Sequence, residues 1–380
     1  MKLKCLYASD EASSDVLYLS GIQVPDAYLS IVMGNRKIAV VSQLEYSRVK
    51  ATSKYTEVYE LNAMKAEVSH TLKVPLIKVG LAQIILYFKT ISQAEFVEIP
   101  EDFPAFLLLG LQEIGIKVKL VEGSFFQERE QKSASEIKSI TNANKASALG
   151  FKVAESALKE SKIKEGKLYL DGSLLSSERL RFMIESALFE KGATAPTTIV
   201  AGGVQACDPH QIGHGALRAD ELIIIDIFPK IKSSGYHGDM TRTFLKGKAS
   251  DAQRALVQSV RSAQKIALAK IKPKVYGSTV HAAVVESFTK DGYKTEKRTN
   301  TVTDTYVGFI HSTGHGLGLD VHEFPSLSPK GKALKVGHVV TVEPGLYYPE
   351  IGACRIEDVV AVTQEGSKKL SSYPYTWQFA

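Results

Sequence analysis

Through the first third of the chain, short apolar runs alternate with stretches of helical spacing. Lys37 to Ser42 predicts a buried strand, and Ile116, Val118 and Leu120 alternate with Lys117 and Lys119 as in a half-buried one. Between them, Leu81 to Lys89 and Ala105 to Ile114 predict helices. Strands interleaved with helices imply an α/β domain with a mixed, partly parallel sheet. The polar stretch Gln127 to Ser135 then interrupts the pattern. Ser133-Ala-Ser-Glu136 ahead of Ile137 is a capping box, in which the serine oxygen accepts a first-turn N–H and the glutamate reaches back. A long helix is predicted from there to Lys159, and the domain boundary is placed before it, giving domains of residues 1–126 and 127–380.

The second domain has readable helix ends. One helix starts near Ser176, aligns Leu180, Ile184 and Leu188 on one face and stops at Gly192. Ser250 with Gln253 caps another, whose face is Leu256, Val260, Ala263 and Ala267; a shorter one runs from Ser278 to Gly292. Strands are predicted at Thr198 to Ala201, Leu222 to Phe228, Val339 to Glu343 and Arg355 to Val362.

Composition narrows the class. The 380 residues are 44% hydrophobic and 23% charged, as in an ordinary globular protein of two domains. The net charge of +6 is spread thinly, and the lysine-rich stretches Lys159 to Lys167 and Lys290 to Arg298 also carry acidic residues and read as solvated faces. No basic run is interleaved with aromatics, so no nucleic-acid partner is expected. Cys5, Cys207 and Cys354 are too few and too unevenly spaced for a disulfide framework or a thiolate metal site. The longest apolar run, around Ala105 to Leu111, falls short of the roughly 20 residues a membrane span needs. With no signal-peptide pattern at the start, the expected location is cytoplasmic and off the membrane.

The chemistry gathers on predicted strand ends and turns of the second domain. Asp226 closes Leu222-Ile-Ile-Ile-Asp226, Asp239 sits in Gly238-Asp-Met-Thr-Arg-Thr243, and His315 lies in Gly314-His-Gly-Leu-Gly318. Glu343 precedes Pro344-Gly345, and Glu357 lies in Arg355-Ile-Glu-Asp358. Singly, each reads as a cap, a turn residue or a solvated side chain. Asp226 is harder to dismiss, because a carboxylate behind three isoleucines in a buried strand is costly to desolvate without a cation, donors or a proton. Parity puts Arg355 and Glu357 on one face of their strand, so an internal face would bury both charges. Four carboxylates and an imidazole make a hard donor set suited to manganese, iron, cobalt or zinc. Two divalent ions balance four ionised carboxylates, whereas one leaves excess negative charge. Two divalent metal ions are therefore expected, manganese first, with cobalt, zinc or iron also suited.

In order and nearly in spacing, Asp226, Asp239, His315, Glu343 and Glu357 resemble the ligands of the pita-bread metallopeptidases, the family of proline dipeptidase, aminopeptidase P and methionine aminopeptidase (peptidase family M24). The matching motifs are Asp239-Met-Thr-Arg-Thr243, Gly314-His-Gly-Leu-Gly-Leu-Asp-Val-His-Glu323, Val342-Glu-Pro-Gly-Leu-Tyr347 and Arg355-Ile-Glu-Asp358. Upstream, Asp15-Val-Leu-Tyr-Leu-Ser-Gly21 and the helix start at Lys132 to Ile140 resemble the proline-specific, creatinase-like branch.

The resemblance implies a creatinase-like α/β N-terminal domain and an α+β pita-bread C-terminal domain with a curved antiparallel sheet and flanking helices. It further implies Asp226 on one metal, His315 with Glu343 on the other, Asp239 and Glu357 bridging, and a bridging water as nucleophile for an Xaa-Pro bond. Glu343 is then a proton shuttle. His322 and His210 are substrate-site histidines, with His214 a weaker competitor for the second role. Arg355 matches an arginine that approaches the substrate carboxylate in proline dipeptidases; its other reading is an ion pair with Glu357 or Asp358. Thr241 is placed as an orienting residue, and His237, His281 and His311 as structural or as supports behind the ligands. A small peptide substrate and a homodimer are also implied.

Two departures border the expected pocket: the Asp226 to Asp239 loop is longer than usual, and Ile227-Phe228-Pro229 replaces a small glycine-containing sequence. They keep open a hydrolase of a non-peptide amide on the same fold. A non-catalytic pita-bread binding protein is the third reading, although such proteins typically lose ligands.

Overall fold

The computed structural model describes residues 2–295 and 307–380. Residues 296–298 of the lysine-rich stretch therefore lie outside the described residues. The chain divides into two compact units, Met1–Arg129 and Glu130–Ala380.

The first unit is built on a sheet in the spatial order Glu57–Glu60, Arg36–Val41, Tyr28–Met33, Leu3–Ala8, Val97–Ile99, Val118–Leu120. The three inner strands Leu3–Ala8, Tyr28–Met33 and Arg36–Val41 pair antiparallel, and the outer pairs are parallel. Each parallel step needs a helical crossover. Gln43–Thr52 bridges Arg36–Val41 to Glu57–Glu60, and Ala105–Glu113 bridges Val97–Ile99 to Val118–Leu120. Further helices are Ser14–Ser20, Leu61–Leu72 and Leu81–Ser92. The central strand Tyr28–Met33 is buried on both faces, which is why its sequence shows no apolar–polar alternation.

The second unit opens with helix Ala134–Glu160. Ser133 and Glu136 exchange the two bonds of a capping box, Ser133 N to Glu136 Oε2 at 2.8 Å and Glu136 N to Ser133 Oγ at 3.4 Å. Its inner face is mostly small (Ala143, Ala146, Ser147, Gly150, Ala154), so strands approach it closely. Helices Ser177–Phe189, Asp251–Lys270 and Gly277–Lys290 complete the packing. The second of these buries Leu256, Val257, Val260, Ala263 and Ala267 at helical spacing. Each fully buried valine or leucine contributes about 1.5–3 kcal/mol before entropy is charged against it.

Two sheets carry the site. One has the order Ile199–Gly202, Ile223–Asp226, Thr241–Lys246, Gln378–Phe379, and the other Glu323–Leu327, Gly314–Gly316, Val339–Val342, Asp358–Val362, Ser367–Lys369. A hairpin of Gly345–Tyr348 and Gly352–Arg355 lies beside them. The pairing is antiparallel throughout, except for the short parallel step onto Gln378–Phe379.

Several boundaries differ from the sequence expectation, three of them near the site or its supporting helix. The helix from Ser177 ends at Phe189, before Gly192, and the strand from Ile223 ends at Asp226, before Phe228. The single strand expected over Arg355 to Val362 is two: Gly352–Arg355 pairs with Gly345–Tyr348, and Asp358–Val362 pairs with Val339–Val342. Ile356-Glu357 is the break, because the chain changes sheets there. Glu357 is buried at that junction rather than by strand parity. Among the described residues, no helix is long and apolar enough to cross a membrane.

Candidate metal centre

The four candidate carboxylates stand where a strand ends, begins or changes sheet, and the histidine stands within one. Asp226 closes Ile223–Asp226, Asp239 leads into Thr241–Lys246, Glu343 follows Val339–Val342, and Glu357 sits at the break just described. His315 is the middle residue of Gly314–Gly316. That strand is squeezed between its neighbours: a Cβ on Gly314 would lie 2.0 Å from Thr341 O, and one on Gly316 would lie 2.5 Å from Glu323 O. The glycines flanking His315 are thus required by close approach of backbone to backbone.

The structure brings Asp226, Asp239, His315, Glu343 and Glu357 together on one cavity of about 750 Å³, with His210, His311, His322 and Arg355 also on its wall. Asp226, Asp239 and Glu357 are 9%, 3% and 1% exposed. One ligand atom each from Asp239, His315 and Glu357 fall within 4.8 Å of one another. His214, the competitor to His210, lies instead on a small separate surface pocket.

Hydrogen bonding leaves this cluster conspicuously short of donors. Thr241 Oγ1 donates to Glu357 Oε2 (2.8 Å), and Arg355 donates to Asp226 Oδ2 (2.9 Å) and to Tyr347 Oη (2.9 Å). Asp226 Oδ1 and Glu357 Oε1 are buried with no hydrogen-bond partner. An unpaired buried carboxylate oxygen costs more than a typical hydrogen bond returns, so each calls for a cation or a proton.

His315 sharpens the point. Its Nδ1 faces Gly316 O at 3.1 Å, and since a carbonyl only accepts, Nδ1 carries the proton. Burial pushes the imidazole below its usual range, so the ring is neutral and Nε2 presents a lone pair. That lone pair faces Glu343 Oε1 at 3.3 Å and Asp239 Oδ2 at 3.7 Å, acceptor towards acceptor. Such an arrangement calls for a metal ion or a proton between the three groups. The donor set, the two orphaned oxygens and the fixed tautomer all fit divalent metal ions.

Electrostatics agree with the geometry. Burial, then repulsion from Asp226 and Glu343, drives Asp239 well above the carboxylate range. Burial, then Asp239 and Glu343, does the same to Glu357. Burial raises Glu343 to about 7, against the pull of Arg355. Arg355 stays firmly charged: burial opposes its charge, and Tyr347, Asp226 and Glu343 hold it. One buried guanidinium among four carboxylates cannot neutralise them, and cations on the orphaned oxygens would.

The other expected residues fall as follows. Arg355 pairs with Asp226, whereas Asp358 pairs with Arg242 at 3.0 Å. His322 is exposed at the cavity, its ring 4.2 Å from that of His315. His210 is exposed on a loop that Arg181 ties down, donating to Thr198 O (2.8 Å), Gly213 O (2.8 Å) and Ile212 O. Thr241 bridges Arg355 (3.4 Å) and Glu357. His281 Nδ1 meets Thr313 Oγ1 at 3.0 Å, and His237 stands off the cavity. His311, read from sequence as structural or as a support behind the ligands, lines the cavity with Nε2 2.8 Å from Tyr347 Oη. Tyr347 itself escaped sequence reasoning, although it sits in the Glu343 to Tyr347 motif.

The profile of metallopeptidase family M24 matches residues 138–364. The chain is 27% identical over 372 residues to an Xaa-Pro dipeptidase of Pyrococcus furiosus, covering 94% of this chain and 90% of that one. It is 38% identical over 178 residues to YqhT, an uncharacterized peptidase of Bacillus subtilis, a match spanning 46% of each chain. Among solved structures, an Xaa-Pro dipeptidase from Bacillus anthracis aligns with a TM-score of 0.80 at 22% identity, covering 100% of this chain and 95% of that one. The prolidase from Pyrococcus furiosus aligns with a TM-score of 0.77 at 24% identity, covering 98% and 97%. These likenesses establish a shared fold.

Proposed function

Because the chain belongs to metallopeptidase family M24, hydrolases that use divalent metals, we propose that it cleaves the peptide bond before proline, as an Xaa-Pro dipeptidase or aminopeptidase. The observation that carries the metal-dependent part is the acceptor-to-acceptor contact of neutral His315 with Glu343 and Asp239, beside the orphaned oxygens of Asp226 and Glu357. The proline part is supported by the nearly full-length similarity to an Xaa-Pro dipeptidase.

In this reading Asp226, Asp239, His315, Glu343 and Glu357 hold two divalent ions. Ions held there would supply Lewis acidity, lowering the pKa of water from 15.7 to about 7 and offsetting charge on an oxyanion. The protein's part is positional. Arg355 fixes one oxygen of Asp226 and leaves the other for the cavity, and Thr241 does the same for Glu357. Thr341 Oγ1 accepts from His315 N (3.0 Å) and donates to Glu343 Oε1 (3.4 Å), aligning those two ligands. Glu343, on the cavity wall, can carry a proton from water to the leaving amine. His322 and His210 stand on the cavity wall as donors to substrate. Arg355, committed to Asp226 and Tyr347, acts on the site rather than on a substrate carboxylate.

Hydrolysis of Xaa-Pro dipeptides and longer Xaa-Pro peptides by manganese-loaded protein tests the reading, with a non-proline peptide as control. Turnover of the proline substrates, abolished in Asp239→Ala, is expected; none with metal fully bound contradicts it. A non-peptide amide is the second reading, favoured by Phe228 on the cavity wall, and turnover of such an amide alone would select it.

A further inference from the structure

Ile227-Phe228-Pro229 follows Asp226 directly. Its backbone is braced at both ends. Ile227 N donates to Met240 O (3.0 Å), and Gly238 N donates to Pro229 O (2.9 Å). Both bonds continue the register in which Asp226 faces Thr241, so Phe228 stands opposite Asp239. Ile227 is fully buried, its Cδ1 against helix Ala134–Glu160 at Gly150. By the alternation of an extended chain, Phe228 takes the face that Asp226 occupies. Its ring is half-buried and lines the cavity. Ile199, the cross-strand partner of Asp226, lines the same cavity and is 6% exposed. An aromatic and an aliphatic side chain thus flank the carboxylate cluster on a backbone that hydrogen bonds hold in place.

We propose that Phe228 is a specificity-determining residue: with Ile199 it forms an apolar shelf that selects substrates whose residue before proline is large and apolar. The inference rests on the Xaa-Pro reading above. In such a substrate proline is constant, so the preceding residue is the variable side chain at the scissile bond. A large apolar side chain laid on the shelf leaves water together with the exposed part of the ring. A charged one is desolvated there without a partner. One methylene in an apolar pocket changes kcat/KM by roughly tenfold or more, so the preference should be steep.

The test is kcat/KM of manganese-loaded wild type, Phe228→Ala and Phe228→Leu on Xaa-Pro dipeptides and Xaa-Pro-Gly peptides with Xaa as Gly, Leu, Phe, Asp or Lys. Wild type is expected to favour Leu and Phe over Gly, Asp and Lys by tenfold or more. In Phe228→Ala the Leu/Gly and Phe/Gly ratios should each fall at least tenfold. Phe228→Leu should keep the Leu/Gly ratio and lower the Phe/Gly ratio at least threefold, which carries the test if the alanine variant fails to fold. Ratios unchanged from wild type in a folded variant, or a wild type that treats all five alike, overturn the shelf while leaving the peptidase reading intact. No turnover of any peptide by metal-loaded wild type overturns both.

Discussion

Gly238→Ala should damage the protein through sterics alone. A Cβ at this position would lie 2.5 Å from Ala143 C, 2.6 Å from Asn144 N and 2.7 Å from Ala143 O. Comfortable carbon contacts are about 3.5–4.0 Å, so helix and strand must part by roughly 1 Å. All three atoms are helix backbone, and no flexible side chain is there to yield. Overpacking of this kind costs about 1–3 kcal/mol. The same movement breaks the 3.3 Å bond from Asp239 N to Asn144 Oδ1, leaving a buried N–H unsatisfied at a further cost of about 1–3 kcal/mol. Alanine recovers about 0.4–1 kcal/mol by restricting the unfolded chain. The net expectation is a loss of about 1–6 kcal/mol in the second unit, or a fall in Tm of roughly 2–24 °C by calorimetry. Since Asp239 follows directly, manganese affinity should also drop, by about 10–100-fold. Gly110→Ala is the control: it lies in helix Ala105–Glu113 with Ala82 Cβ at a comfortable 3.6 Å, so up to about 1 kcal/mol of helix propensity should be gained. A Gly238→Ala protein with wild-type Tm and metal affinity would refute the reasoning.

Lys132 and Glu323 form an ion pair with side chains 1% and 11% exposed, so Lys132→Met should cost about 3–5 kcal/mol in urea unfolding. Adding Glu323→Met should recover part of that loss, because the carboxylate that Lys132 offset is removed. Arg181→Ala should speed hydrogen exchange across residues 208–214 while leaving metal content unchanged, since Arg181 clamps the loop that carries His210. Burial, then Lys132 and Lys335, lowers His338 to about 4, so below pH 6.5 the unfolded chain takes up a proton that the folded one refuses. Its contribution is present above pH 6.5 and lost as pH falls towards 4, and His338→Gln should flatten that limb of the stability curve. Asp10 has the opposite sign: burial raises it to about 6, so stability falls as pH rises from about 3.8 to 6, and Asp10→Asn should remove that slope in the first unit.

Residues whose chemistry conflicts with their surroundings were the most readable in the sequence. Asp226 behind three isoleucines announces a buried acceptor from sequence alone, whereas the squeezed strand that carries His315 was not among the strands expected. Caps such as Ser133 with Glu136 were legible because the whole device lies within four residues. What depends on partners distant in sequence was not legible. Tyr28–Met33 is buried on both faces and carries no period that separates it from a helix. The break at Glu357 arises because flanking segments pair with different sheets, a fact absent from Arg355 to Val362 itself. Tyr347 is an ordinary aromatic residue until its bonds to Arg355 and His311 set it behind the site, and Phe228, marked in the sequence as bordering the pocket, is set opposite Asp239 only by the register. His210 and His214 were separated only by the fold, which turns one to the cavity and the other to a separate pocket.

The most direct test is anomalous diffraction at the manganese edge from crystals of manganese-loaded protein. The account predicts two peaks per chain in this cavity, one against His315 Nε2 and Glu343, the other against the free oxygens of Asp226 and Glu357. A single peak, or strong peaks elsewhere with none in the cavity, would contradict it.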